Sequence, residues 1–269
     1  MALERARAER EKVLARDELR PDVAMVPSPQ ASESDATFVG IRTIEAHPGL
    51  MLGSPVMAQD GGSIATAAYK MLRTRVLQKM NANGWNTLAV MSPTPDDGKT
   101  FTAINLAIAI ASDTKHTTLL VDFDLRKPSV ARRFGFEPEY GVEDCLRGTV
   151  GIAGALVAPS GYNKLVLLPA RRPQQNSSEL LTSERAATLV KEIRDRYSNR
   201  IVIFDLPPVL GADDALAFAP LVDCALMVVG ASRTRRDDLA RSLEIMHELP
   251  IVGTVLNGSH TENSAGYMY

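Results

Sequence analysis

Aromatic residues are scarce in this chain, at 5% of its 269 positions, and tryptophan occurs once. A core built from it must be aliphatic, and the stacking platforms that hold single-stranded bases are missing. The local basic clusters, Arg126-Lys127 with Arg132-Arg133 and Arg233 with Arg235-Arg236, have no interleaved aromatics, so no nucleic-acid face is expected. Cysteine is almost absent too. Cys145 and Cys224 lie far apart, each in an apolar segment, and read as buried reduced thiols rather than a disulfide framework. Neither sign of charge dominates; a net charge of −2 exerts no global pull toward polyanions. No apolar run approaches the roughly 20 residues of a membrane span. The start, Met1-Ala-Leu-Glu-Arg-Ala-Arg, is charged and has no apolar signal region. The chain therefore reads as cytoplasmic, and any membrane link must come through a partner. His47, His116, His247 and His260 lack metal-ligand spacing, and neither a G-x-S-x-G elbow nor a G-x-G-x-x-G fingerprint occurs.

What is present is alternation, in a chain whose hydrophobic content of 45% suits a sizeable core. Residues 3–20 read as a short, heavily charged helix, and 21–64 as a linker rich in proline, serine and glycine. A helix is expected over 63–80, with Ala67, Met71, Leu72 and Val76 on one face. From Asn86 onward, apolar runs of strand length (87–92, 117–122, 165–168, 201–205, 225–229, 251–256) alternate with helical segments (100–112, 178–197, 213–219, 237–248). Near-continuous apolar strands separated by helices imply an α/β fold, a parallel, doubly wound sheet covered on both faces. The domain plan is an N-terminal helix and linker over 1–62 for partner docking, an α/β domain over 63–256, and a polar tail over 257–269.

Ligands of such sheets bind at the carboxyl ends of the strands. The loop Ser92-Pro-Thr-Pro-Asp-Asp-Gly-Lys-Thr100 follows the first strong strand and opens a helix. Backbone N–H groups at a helix start suit phosphate, a lysine there reaches the β- and γ-phosphates, and the following hydroxyl ligates magnesium. Pro95, Asp97, Gly98, Lys99, Thr100 and Phe101 are the candidate nucleotide contacts. The loop departs from G-x-x-x-x-G-K-[ST] at Pro93, and Asp96 stands where close approach to phosphate often demands glycine. Two further strands end in acids, at Asp122 with Asp124 and at Asp205. Thr100, Asp122 and Asp205 are candidate metal ligands. Lys99, Asp122 and Asp124 are candidate catalytic groups, an acid being needed to orient or deprotonate an attacking hydroxyl. Together these residues call for a nucleoside triphosphate and magnesium.

On these motifs, with Asp122-Phe-Asp-Leu-Arg-Lys-Pro128, Ser178-Glu-Leu-Leu181, Asp205-Leu-Pro-Pro208 and Gly253-Thr-Val-Leu-Asn257, the chain resembles the bacterial tyrosine autokinases of capsule and exopolysaccharide synthesis, in particular their stand-alone cytoplasmic subunits. The resemblance runs from about Ser63 onward. It implies a P-loop NTPase fold, Mg-ATP, and autophosphorylation of a C-terminal tyrosine cluster. It also implies activation by a membrane polysaccharide co-polymerase, a chain-length determinant of the Wzz type, with recruitment to the inner membrane through it, and reversal by a tyrosine phosphatase. Asn257 matches a position near the adenine in related ATPases. Tyr267 and Tyr269 are the candidate phosphoacceptors, fewer than the family usually carries. The family's ring-forming E-x-x-R-x-x-R motif reads here as Ala67, Lys70 and Arg73, so a homo-oligomer is expected but ring assembly is in doubt. The competing readings are an ATPase switch of the ParA/MinD type and a degenerate nucleotide-binding regulatory subunit.

Overall fold

The computed structural model describes residues 40–46, 64–112, 116–195, 200–211 and 213–259. The expected helix at 3–20 and the tail tyrosines Tyr267 and Tyr269 lie outside them. Eight strands form one sheet in the order β1-β4-β5-β3-β6-β2-β7-β8. They are β1 (Arg42–Ile44), β2 (Thr87–Met91), β3 (Thr117–Asp122), β4 (Val157–Pro159), β5 (Leu165–Leu168), β6 (Arg200–Asp205), β7 (Cys224–Gly230) and β8 (Ile251–Asn257). All neighbours pair in parallel except β4 with β5.

The middles of the central strands are apolar because both faces are covered. In β2, Leu88 and Val90 join the core on one face while Ala89 and Met91 join the other; in β6, Ile201 and Ile203 alternate in the same way with Val202 and Phe204. The first face is covered by α1 (Ile64–Asn83) and α2 (Lys99–Ala111), which supply Met80, Ile104 and Ile110. The opposite face carries α7 (Glu184–Asp195), which buries Ala186, Leu189, Val190 and Ile193, the spacing of a single helical stripe. The core is mainly aliphatic, as the composition requires. On one face it includes a packed aromatic trio, Phe123, Phe204 and Phe218, with centroids 4.8 to 5.4 Å apart.

Three expectations need correction. The helix drawn over 178–197 is broken into α6 (Ser177–Leu181) and α7, because the Ser183 hydroxyl accepts the Ala186 N–H and starts a new helix. The stretch read as linker contains β1, which pairs with β4 at the sheet edge. Both strands are three residues long and escape periodicity. The connection from β3 to β4 holds three short helices not expected from the pattern: α3 (Val130–Phe134), α4 (Val142–Arg147) and α5 (Ile152–Ala155). The last two helices are α8 (Asp214–Phe218) and α9 (Arg236–Ile245). Among the described residues no helix is long and apolar enough to cross a membrane.

Candidate active site

The loop between β2 and α2 turns on two residues with positive φ, Asp96 at 65° and Gly98 at 93°. Gly98 has no substitute for a second reason, since a Cβ there would lie 1.8 Å from the Asn257 amide nitrogen. Immediately after it, Lys99 and Thr100 begin α2 and are buried at its head. The Lys99 ammonium donates to Asp124 Oδ2 at 2.5 Å and lies 3.6 Å from Asp205 Oδ1. The Thr100 hydroxyl donates to Asp205 Oδ2 at 2.6 Å. Asp122 lies at the end of β3, where its Oδ2 accepts the N–H groups of Ser129 and Val130 and so caps α3. Phe123, between the two acids, turns to the core.

Burial dominates the electrostatics. It pushes Asp122 well above the usual carboxylate range, with Asp205 adding to the effect, and it raises Asp205 against the opposing pull of Lys99 and Thr100. Burial alone would lower Lys99, but Asp205 and Asp124 together outweigh it and hold the ammonium above the ordinary lysine value. Lys99 thus faces three acids, with Arg133 as a second cation acting on Asp205, and Asp122 Oδ1 and Asp205 Oδ1 are buried without a hydrogen-bond partner. That deficit of positive charge and those spare oxygens fit a divalent cation. No complete ligand set of three acidic, histidine or cysteine side chains forms among the described residues. Mg2+ suits such a partial set, because it keeps several waters and binds through one or two carboxylates plus phosphate.

A cleft of about 390 Å3 opens over the head of α2. Pro95, Asp96, Gly98, Lys99, Thr100 and Phe101 form one side and Asp124, Arg126, Lys127 and Arg132 another. The side chains of two expected nucleotide contacts are engaged by the loop and its neighbours. Asp97 is buried, and its carboxylate accepts the Thr94 N–H at 3.0 Å, the Thr94 hydroxyl at 2.9 Å and the Thr234 hydroxyl at 2.7 Å. A buried carboxylate needs such donors, so its charge braces the loop from behind rather than facing a polyanion. Asn257 likewise donates to the Asp97 carbonyl at 3.0 Å. Thr234, and Asp214, whose Oδ1 accepts from Arg126 in the cleft wall at 3.0 Å, escape the sequence pattern. Both act through partners far away in the chain, and local pattern carries no sign of that.

No family model matches the chain. The tyrosine-protein kinase YwqD of Bacillus subtilis is 29% identical over 209 residues, covering 77% of this chain and 86% of YwqD. The tyrosine-protein kinase Wzc of Salmonella typhimurium is 30% identical over 240 residues, 88% of this chain and 32% of Wzc. The solved kinase domain of VpsO is 30% identical, with a TM-score of 0.64 over 72% of this chain and 94% of that domain. This chain belongs to the bacterial tyrosine-protein kinases. The succinoglycan biosynthesis transport protein ExoP of Rhizobium meliloti is a further relative, 33% identical over 174 residues, 64% of this kinase and 21% of ExoP. The kinase therefore spans most of YwqD but a minor part of Wzc and ExoP. Its sheet, loop and flanking helices are those of a P-loop NTPase.

Proposed function

We propose that the protein is an ATP-dependent tyrosine autokinase that modifies Tyr267 and Tyr269 in its own tail and so regulates polymerisation and export of an exopolysaccharide or capsule. The observation that carries this reading is the cluster of Lys99, Thr100, Asp124 and Asp205 at the head of α2, in a chain that aligns along most of its length with tyrosine kinases. Mg-ATP would supply the transferable phosphoryl group; Thr100, Asp205 and Asp122 are the residues that would hold the metal, and Lys99 the phosphates. Phosphoryl transfer needs positioning and charge neutralisation more than covalent help. Lys99, drawn to phosphate, would release Asp124 Oδ2. Asp124 is the acid that lines the cleft, so it, rather than the enclosed Asp122, would orient the phenol and take up its proton. A phenol with a pKa of about 10 needs that help at neutral pH. Negative charge added to the tail would then loosen contacts between copies.

The kinship with Wzc and ExoP motivates the partners: a membrane polysaccharide co-polymerase as activator and inner-membrane anchor, and a tyrosine phosphatase as antagonist. The test is incubation of the purified protein with Mg-ATP beside Lys99→Met, read by intact mass and phosphopeptide mapping. Phosphate on Tyr267 or Tyr269, reduced at least about 100-fold in the variant, is the expected result. A chain that hydrolyses ATP but stays unmodified, even with its activator's cytoplasmic segment, would instead be an ATPase switch.

A further inference from the structure

Arg126 leaves the loop after β3 and lines the same cleft as Lys99 and Thr100. Its guanidinium is gripped side-on, Nε donating to Asp214 Oδ2 at 3.1 Å and Nη2 to Asp214 Oδ1 at 3.0 Å. Asp214 is fully buried at the start of α8. The Ser178 hydroxyl, on α6, lies 2.5 Å from the same Oδ1 and 3.4 Å from Nη2. Burial alone would raise Asp214, but the hydrogen bonds from Arg126 and Ser178 help to outweigh it and hold the carboxyl below the usual range. Two separate helices, α6 and α8, therefore fix one cationic group. The neighbouring Lys127 and Arg132 are exposed and have no such anchor.

The side-on fork consumes Nε and Nη2 and leaves Nη1 without a protein partner among the described residues. The side chain is 44% exposed, so it reaches the open cleft. A planar guanidinium held in this way keeps its orientation, and further contact costs little rotamer entropy. Charge in phosphoryl transfer spreads over the equatorial oxygens of the moving group, and a cation already in place needs no reorganisation to meet it. We infer that Arg126 Nη1 contacts the terminal phosphoryl group of the bound nucleotide, across the cleft from Lys99, and that Asp214 is the positioning residue that aims it. This rests on the nucleotide-binding reading given above.

The test is calorimetry on the full chain with Mg2+, comparing ADP with a non-hydrolysable ATP analogue, alongside melting temperatures. Arg126→Ala is expected to leave ADP affinity within about twofold and to weaken the analogue about tenfold, as loss of a single charge-assisted contact would. Arg126→Lys should not restore it, because an ammonium cannot form the fork. Asp214→Asn should weaken the analogue in the wild-type background and add nothing to Arg126→Ala. If Asp214→Asn does not fold, Ser178→Ala, which loosens the same carboxylate, takes its place. Equal loss for both nucleotides, or no loss, overturns the contact while leaving the nucleotide site standing. An additive effect in the double variant overturns the positioning role. A wild-type chain that binds neither nucleotide overturns this inference together with the reading beneath it.

Discussion

Asp96 holds φ at 65°, a region that costs most side chains about 1 kcal/mol or more and that Asp tolerates better than most. Its carboxylate is exposed at the rim of the cradle, beside the space a polyanion would occupy. Its carbonyl is tied to Arg233 at 3.1 Å, so the turn is held from outside. Asp96→Gly removes the strain and the like charge together. It is expected to tighten Mg-ATP binding about threefold to tenfold by calorimetry; unchanged or weaker binding would show that the carboxylate does not face the ligand. Asp97, one position on, is the opposite case. Adjacent acids look alike in sequence, yet one is solvated and one is enclosed by hydroxyl and amide donors.

Elements meet the phosphate loop through that enclosed carboxylate. The Gly230 N–H at the end of β7 donates to the Thr234 hydroxyl at 2.8 Å, and that hydroxyl donates onward to Asp97. Gly230 must be glycine, because a Cβ would stand 2.7 Å from the Asp97 carboxylate. The turn between β7 and α9 thereby braces the head of α2 from behind. Thr234→Val keeps the shape and deletes the donor, leaving a buried oxygen unpaired. The expected outcome in steady-state kinetics is a rise of about tenfold in KM for ATP with a smaller change in kcat, restored by Thr234→Ser. A lower melting temperature with unaltered KM would mean that the brace serves stability alone. The same scale explains the split helix, where a serine hydroxyl supplied a cap that overrode a continuous helical pattern.

At the scale of the whole molecule, α1 carries the positions of the family's ring motif. Ala67 cannot accept a salt bridge, and Arg73 is already used within the chain, donating to the Ala109 carbonyl in the last turn of α2 at 3.1 Å. The guanidinium there satisfies a helix end. Light scattering of the purified protein is expected to show no ring-sized species. Ala67→Glu with Lys70→Arg should shift the distribution toward larger assemblies, and a closed ring formed by the unaltered chain would refute this account of Arg73.

Much of the fold and of the candidate site is legible in the sequence, because it is written in neighbouring residues. Apolar runs buried on both faces announce a covered parallel sheet, and a turn-rich loop before a helix announces the cradle at Gly98, Lys99 and Thr100. Acids at the ends of β3 and β6 had to converge once the strands lay side by side. What remained depended on partners distant in sequence. Asp214 meets Arg126 across 88 positions, and Thr234 meets Asp97 across 137. The strands β1 and β4 exist because each offers the other its hydrogen bonds, not because three residues carry a pattern. Local periodicity encodes which surface a residue turns inward. Only packing decides which buried charge meets which donor, and so which acids of the loop and strand ends face the ligand.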